Sequence, residues 1–348
     1  MIRIGTRGSK LALKQASLVQ EALRQADAGL ETELVILHTR GDRIQDRPLS
    51  AIGEKGVFAA EFEQALLRGK IDLAVHSAKD LPVELADGLT ICAVLPRADV
   101  RDVLVVPKGG RVPSERQEAE DGGSRRPFRI GSGSRRRQML AEKVWENIIC
   151  EDIRGNVDTR LRKLQEGSYD GLLLAKAGLD RLGIGLEQAK AFDFYPLPPE
   201  QFLPAACQGI IAVEAVQESA AAQICKKITD EETALCFLVE REVLQQLSAD
   251  CSEAAAAWCR RAAEGTCCGE PRETDEKILE MMGQAEGQYC EVTHRMNKQS
   301  RKTEHAEDRL LLDVMYARKR VQLACPVSAE EGRALAGQAA KMIKEQAE

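Results

Sequence analysis

The sequence predicts an α/β protein of mostly parallel sheets covered by helices, followed by a smaller α+β region. Three observations predict it. Short apolar runs alternate with amphipathic helical stripes from residue 2 to about residue 215. A stretch from Gly109 to Pro127, rich in Gly, Pro, Ser, Glu and Arg, splits that alternation into two units. From Glu231 the pattern changes to one long helical stripe followed by sparse strand signals.

Ile2 to Ile4 reads as a short strand. Leu11, Leu18, Val19, Ala22 and Leu23 recur behind it at helical spacing, with Ser9 placed to cap that helix. Leu34 to Leu37 reads as a buried strand. Phe58, Phe62, Ala65 and Leu66 form the next helical stripe, before strands at Ile71 to Val75 and Thr90 to Val94. Val103 to Val106 opens the second unit. The break at 109–127 carries almost no large apolar residue and reads as a mobile surface loop. Order resumes at Phe128 to Ile130, with a helix from Arg136 to Trp145, a strand at Ile148 to Cys150, a helix from Val157 to Gln165 and a strand at Gly171 to Leu174. Pro196, Pro198, Pro199 and Pro204 mark a long connection. Ile210 to Val213 is strand-like and can return to the first sheet. In the last region Ala234, Leu235, Leu238, Val239 and Leu244 make a helical stripe. Strand candidates fall at Lys277 to Met281 and Leu310 to Val314, and Ser328 with Glu331 has capping-box spacing. The expected domains are residues 1–97 with 206–226, residues 98–205, and residues 227–348.

A chain of 348 residues exceeds what one core usually organises. A net charge of -6 and an aromatic content of 4% argue against bulk attraction to nucleic acid or anionic lipid, and against base-stacking platforms. No nucleic-acid or membrane partner is expected, and the chain is expected to be a monomer. Met1-Ile2-Arg3-Ile4-Gly5 lacks the apolar stretch of a signal peptide, and no apolar run is long enough to span a bilayer. The expected location is cytoplasmic. Eleven cysteines with no Cys-x-x-Cys spacing point to free thiols rather than a disulfide framework, and no metal site is expected.

The strongest functional signal is Val75-His76-Ser77-Ala78-Lys79-Asp80-Leu81-Pro82. A cation and a carboxylate directly follow an apolar strand, and open α/β sheets place binding crevices at the carboxyl ends of their strands. Thr6-Arg7-Gly8-Ser9, Thr39-Arg40-Gly41-Asp42, Ser134-Arg135-Arg136-Arg137-Gln138 and Arg154-Gly155-Asn156 also follow apolar segments. Together they describe an arginine-lined cleft holding one catalytic-looking acid, Asp80. His76 reads as a structural hydrogen-bonding residue.

In these segments the chain resembles the porphobilinogen deaminase (hydroxymethylbilane synthase) family. The motifs that carry the resemblance are Ile4 to Leu13 (IGTRGSKLAL), Thr39-Arg40-Gly41-Asp42-Arg43, Val75 to Pro82, Arg136-Arg137-Gln138, Arg154 to Leu161 (RGNVDTRL) and Ala177 to Leu182 (AGLDRL). The resemblance implies two doubly wound domains like the halves of a type II periplasmic binding protein, plus a smaller α+β C-terminal domain. It also implies a cysteine that holds a dipyrromethane cofactor through a thioether. The implied reaction condenses four porphobilinogen molecules head to tail on that primer with loss of ammonia, then hydrolyses off linear hydroxymethylbilane.

The family pattern assigns roles to residues of this chain. Asp80 takes the catalytic position, where a carboxylate steadies the cation left when ammonia departs. Porphobilinogen carries an acetate and a propionate, and guanidinium pairs with carboxylate through two parallel hydrogen bonds. Lys79, Arg136, Arg137, Arg154, Arg160, Ser132 and Ser134 fall at cofactor-binding positions. Arg7, Ser9, Lys55, Arg154, Arg181 and Gln208 fall at substrate-binding positions. Cys251 matches the cofactor anchor, with Cys259 as the fallback, and Cys236 reads as core. Departures from the pattern are Cys207 for a glycine before Gln208-Gly209, Ala249-Asp250 for the usual glycines before Cys251, Ala254 at a proline position, and Ala51 and Glu54 near Lys55. Two other readings stay open. A non-catalytic small-anion binder of the same two-lobed class would share the arginines without needing Asp80 or Cys251. A nucleotide-dependent enzyme is less well served, because Gly5 to Lys10 lacks Walker spacing and Gly131-Ser-Gly-Ser lacks the third glycine of the dinucleotide fingerprint.

Overall fold

The computed structural model describes residues 1–39, 59–113, 126–187, 190–249, 254–262, 309–316 and 319–345. Lys55, Cys251, the strand candidate at 277–281 and most of the loop at 109–127 lie outside the described residues.

The alternation of strand and helix builds two sheets on one plan. β1 (Ile2–Thr6) runs parallel to both of its neighbours, β2 (Thr32–Ile36) and β3 (Leu73–Ser77). β10 (Ile211–Val216) inserts antiparallel between β3 and β4 (Leu89–Val94), giving the order β2-β1-β3-β10-β4. In the second sheet β6 (Phe128–Gly131) lies parallel to β7 (Ile148–Glu151) and β8 (Gly171–Ala175). β5 (Asp102–Pro107) is antiparallel to β8 and to β9 (Phe192–Pro196), giving the order β7-β6-β8-β5-β9. The chain crosses between the sheets twice, from β4 to β5 and from β9 to β10. Each crossing delivers the strand that runs against the others.

Helices cover both sheets. In the first these are α1 (Lys10–Ala26), α2 (Ala60–Leu67) and, after β10, α7 (Ala220–Cys225). In the second they are α3 (Arg135–Val144), α4 (Val157–Gln165), α5 (Lys176–Arg181) and the single turn α6 (Ile184–Glu187). A third sheet, β11 (Ala256–Ala262), β12 (Arg309–Tyr316) and β13 (Lys319–Pro326), is antiparallel throughout. It shares a core with α8 (Glu231–Leu247) and α9 (Ala329–Glu345). Ser328 accepts from the Glu331 N–H at 3.1 Å and its hydroxyl donates to the Glu331 carboxylate at 2.8 Å, capping the start of α9. The third sheet also reaches the second lobe, because Ala256 and Met315 share an apolar cluster with Trp145, Phe202 and Leu203.

One expectation needs correction. Leu34 to Leu37 is not buried: β2 is an edge strand, and Ile36 is 50% exposed. An edge strand has one strand neighbour and one open side, so an apolar run does not ensure burial. β9 (Phe192–Pro196) was not expected; it ends at the first of the four prolines, and the long connection they mark runs from there to β10. Strands β11 and β13 were not expected. β11 carries Arg260 and Arg261, and the Arg260 guanidinium lies 3.7 Å from the Trp258 ring centroid, so charges sit on a strand whose apolar atoms pack elsewhere.

Candidate active site

β3 ends at Ser77, and Ala78–Asp80 make a single 3-10 turn. The Ala78 N–H donates to the Ile210 carbonyl at 3.0 Å. Ala78 and Leu81 are buried with Val94, Cys207, Ile210 and Ala212. This apolar anchor leaves Lys79 partly buried and Asp80 exposed on the polar side of the turn. His76, one turn earlier, is committed to the core. Its Nε2 lies 3.0 Å from buried Glu214, and its ring meets Phe62 edge to face.

Behind Asp80 lies an acid that the sequence analysis did not single out. Asp102, at the start of β5, is fully buried. Its Oδ2 accepts from Arg136 Nη2 at 2.7 Å. Its Oδ1 accepts from Arg137 Nε at 3.0 Å, from Arg137 Nη2 at 2.7 Å and from Gln208 Nε2 at 2.9 Å. Burial would raise this carboxyl, but Arg136 and Arg137 outweigh it and hold the group well below the usual carboxylate range. The two arginines also donate to the Leu203 and Leu173 carbonyls. Their first partners are therefore internal. Arg136 is 3% exposed, and its Nε is buried without a hydrogen-bond partner among the described residues.

Lys79 Nζ donates to Gln208 Oε1 at 3.3 Å. Burial pushes its ammonium down to about 8, and Arg137 adds to the shift, while Asp80 and Asp102 oppose it. Arg160, in α4, is lowered to about 10, chiefly by burial and then by Arg137, with Asp80 pulling the other way and Arg154 adding to the fall. Arg160 Nε is held by the Gly155 carbonyl at 2.8 Å. Gly155 has φ +109, and a Cβ there would meet Thr159 at 2.9 Å, so the Arg154-Gly155-Asn156 turn is closed to larger residues. Arg154 Nη2 is buried with no hydrogen-bond partner among the described residues. Five cations, Lys79, Arg136, Arg137, Arg154 and Arg160, thus gather around two acids, Asp80 and Asp102.

The remaining sequence-predicted residues divide by task. Ser9 caps α1, accepting from the Ala12 N–H at 3.3 Å, and Ser134 caps α3, accepting from the Arg137 N–H at 3.5 Å. Buried Ser132 accepts from the Ser134 N–H at 3.3 Å, so the two serines shape one turn. Arg7 is partly buried. Arg181 Nη2 donates across the lobes to the Gly209 carbonyl at 2.6 Å. Gln208 is 1% exposed. Its oxygen accepts from Lys79, and its two amide hydrogens go to Asp102 and, at 2.7 Å, to the Val100 carbonyl. In this arrangement it joins the two lobes and has no donor left for a ligand.

The crossover beside Gln208 tolerates the cysteine that replaces a glycine. Cys207 sits at φ +60, a left-handed conformation that costs a non-glycine residue about 1 kcal/mol or more. Its N–H is held by Glu240 at 2.5 Å. Gly209 has no such latitude, since φ is +89 and a Cβ would stand 2.5 Å from the Ala98 carbonyl oxygen. Glu240 is itself buried and paired with Arg97, which donates to it at 2.6 and 3.1 Å and to the Gln208 carbonyl at 2.9 Å. This pair ties α8 to the crossover.

The fold and the site define a two-lobed α/β cleft protein whose strand ends present an excess of guanidinium groups. A family model described as "Porphobilinogen deaminase, dipyromethane cofactor binding domain" matches residues 2–224. Porphobilinogen deaminase of Sulfurimonas denitrificans is 39% identical over 248 residues, covering 71% of this chain and 75% of that protein. That of Acetivibrio thermocellus is 41% identical over 257 residues, covering 74% and 82%. The chain belongs to the porphobilinogen deaminase family. Superposition on the periplasmic aliphatic sulphonate binding protein SsuA of Escherichia coli gives a TM-score of 0.39 at 12% identity, covering 99% of this chain and 87% of that one.

Proposed function

We infer that the chain is a hydroxymethylbilane synthase, which joins four porphobilinogen units head to tail with loss of ammonia and then releases the linear tetrapyrrole by hydrolysis. The observation that carries the reading is the group of five cations around Asp80 at the end of β3, in a chain of this family. Lobe boundaries at 1–97 with 206–226, 98–205 and 227–348 are supported by the three sheets. No helix among the described residues is long and apolar enough to cross a membrane. A cytoplasmic monomer that does not engage nucleic acid is the accompanying reading.

The residues fit a bound dipyrromethane. Its carboxylates match the cation excess, and the buried Arg154 Nη2 is a donor in want of an acceptor. Lys79, Arg136, Arg137, Arg154, Arg160, Ser132 and Ser134 would hold it, and when bound it supplies the pyrrole position on which ring units are added. Arg7, Ser9, Lys55, Arg154, Arg181 and Gln208 are the proposed substrate set, with Gln208 acting through Lys79 rather than by direct donation. Asp80, the exposed carboxylate, faces the positive charge that develops on the substrate methylene as ammonia leaves, and it holds the pyrrole N–H proton while the new bond forms.

Cys251 is the proposed anchor. The fallback, Cys259, is 1% exposed, and a hydrogen bond with the Cys236 thiol together with burial pushes its own thiol far above the ordinary range. A buried thiol of that kind is a poor nucleophile. Intact mass spectrometry of protein supplied with porphobilinogen should show a covalent dipyrrole adduct that Cys251→Ser abolishes. An adduct surviving in the serine variant would move the anchor, and no adduct or ammonia release in the unaltered protein would overturn the function.

The lowered Lys79 also predicts a pH dependence. Its charge is present below about pH 8 and lost above it. Carboxylate binding weakens as that charge goes, so KM for porphobilinogen should rise as pH increases through this window. In Lys79→Arg, which stays protonated, the rise should disappear. A KM equally pH-dependent in both proteins would remove Lys79 from substrate or cofactor attraction.

A further inference from the structure

The turn that carries Asp80 is not held by its own lobe alone. From α8, Arg241 Nη2 donates to the Val83 carbonyl at 2.5 Å, and the Arg241 guanidinium lies 5.8 Å from the Phe237 ring centroid. Phe237 and Ala234, on the same helix, pack against the cluster that contains Ala78 and Leu81. The segment between Asp80 and Val83 is stiff. Leu81 precedes Pro82, which confines it to extended backbone, and it is found there at φ -69 and ψ 143. A shift of the Val83 carbonyl is therefore passed to Asp80 with little local give.

The same helix runs on from Arg241 through Leu247, a rise of about 9 Å at 1.5 Å per residue. It ends at Ser248 in the left-handed conformation, φ 55, three residues before Cys251 in sequence. One helix thus grips the acid's turn at one point and leads into the segment that bears the anchor at its end. Glu240, the neighbouring residue, fixes the helix to the crossover through the Cys207 N–H and to β11 through the Cys259 N–H at 2.7 Å. The helix cannot slide without breaking these bonds.

We propose that Arg241 is a positioning residue, which sets the Asp80 turn in register with the helix that leads to the cofactor anchor. This rests on the synthase reading. Its chemical content is the alignment of the Asp80 carboxylate with the reacting end of an acceptor tethered by the third domain. A misplacement of about 1 Å at a reacting group can cost about 100-fold in rate, so a partial loss of register should show chiefly in kcat.

The test compares unaltered protein, Arg241→Met and Arg241→Lys, each purified with its cofactor. Methionine keeps the apolar stem and helix propensity and removes the donor, whereas lysine keeps a donor. Arg241→Met is expected to load the cofactor, by intact mass, and to lower kcat about tenfold with KM changed less than twofold. Arg241→Lys is expected to recover most of the loss. Unchanged kcat in the loaded methionine variant would overturn the proposal. So would failure of both variants to load the cofactor or fold, or a kcat loss that lysine does not repair, since each makes Arg241 a general structural contact. Turnover of porphobilinogen by the unaltered protein, run alongside, separates these outcomes from failure of the synthase reading.

Discussion

Replacing Asp80 with asparagine is expected to lower kcat by roughly 100- to 1,000-fold, the range seen when one preplaced electrostatic group is removed from a reacting centre. The carboxylate stands exposed at the end of the 3-10 turn, among cations that it partly offsets. The turn is held by the Ala78 N–H and by buried Ala78 and Leu81 rather than by this carboxylate, so the fold should persist although Lys79 and Arg160 lose a compensating charge. The amide keeps the size and one acceptor oxygen, turns the other oxygen into a donor and removes the charge, which tests the stabilisation of the developing cation. The rate should be measured as single-turnover ammonia release per cofactor-loaded molecule, counted by intact mass. A rate within threefold of the unaltered protein would take Asp80 out of the catalytic role.

Asp102→Ala should have the opposite signature. The carboxylate is fully buried and accepts from two arginines and a glutamine. Removing one partner from a buried ion pair costs about 3–5 kcal/mol, because the remaining charge stays out of water. The thermal midpoint should fall by roughly 6–20 °C on the scaling for domains of 150–250 residues. Asp102→Asn, which keeps one acceptor oxygen, should lie between the alanine variant and the unaltered protein. A midpoint shift under 2 °C for the alanine variant would show that Arg136 and Arg137 find other partners. Arg136→Leu would remove a carboxylate-gripping position and break an internal ion pair, so stability and cofactor assembly should fall together.

Most of the strand and helix plan was legible because the inner strands are short continuous apolar runs buried on both faces, while the helices carry a stripe of period 3.6. The helix at Val157–Gln165 is found where it was expected, and the stripe from Ala234 to Leu244 lies within the helix Glu231–Leu247. β2 misled because its apolar residues occupy an edge. β11 and β13 were hidden because charged side chains, such as Arg260 and Arg320, satisfy a buried acid, Asp313, across the sheet rather than facing water. Local composition does not show such pairings across strands: Arg260 lies 53 residues from Asp313, and Arg320, seven residues away, reaches it from the next strand.

By itself the sequence determined which residues can carry charge at strand ends: Lys79 and Asp80 after β3, the arginine run opening α3, and the turn at Arg154. It did so because short motifs dictate strand-to-helix turns. The tertiary structure alone decided how those charges are spent. It turned Arg136 and Arg137 inward onto Asp102, made Gln208 a bridge between lobes and set α8 against the Asp80 turn. Each of these depends on groups from distant chain segments meeting where water is excluded, and there the cost of an unpaired charge, rather than any local preference, selects the arrangement.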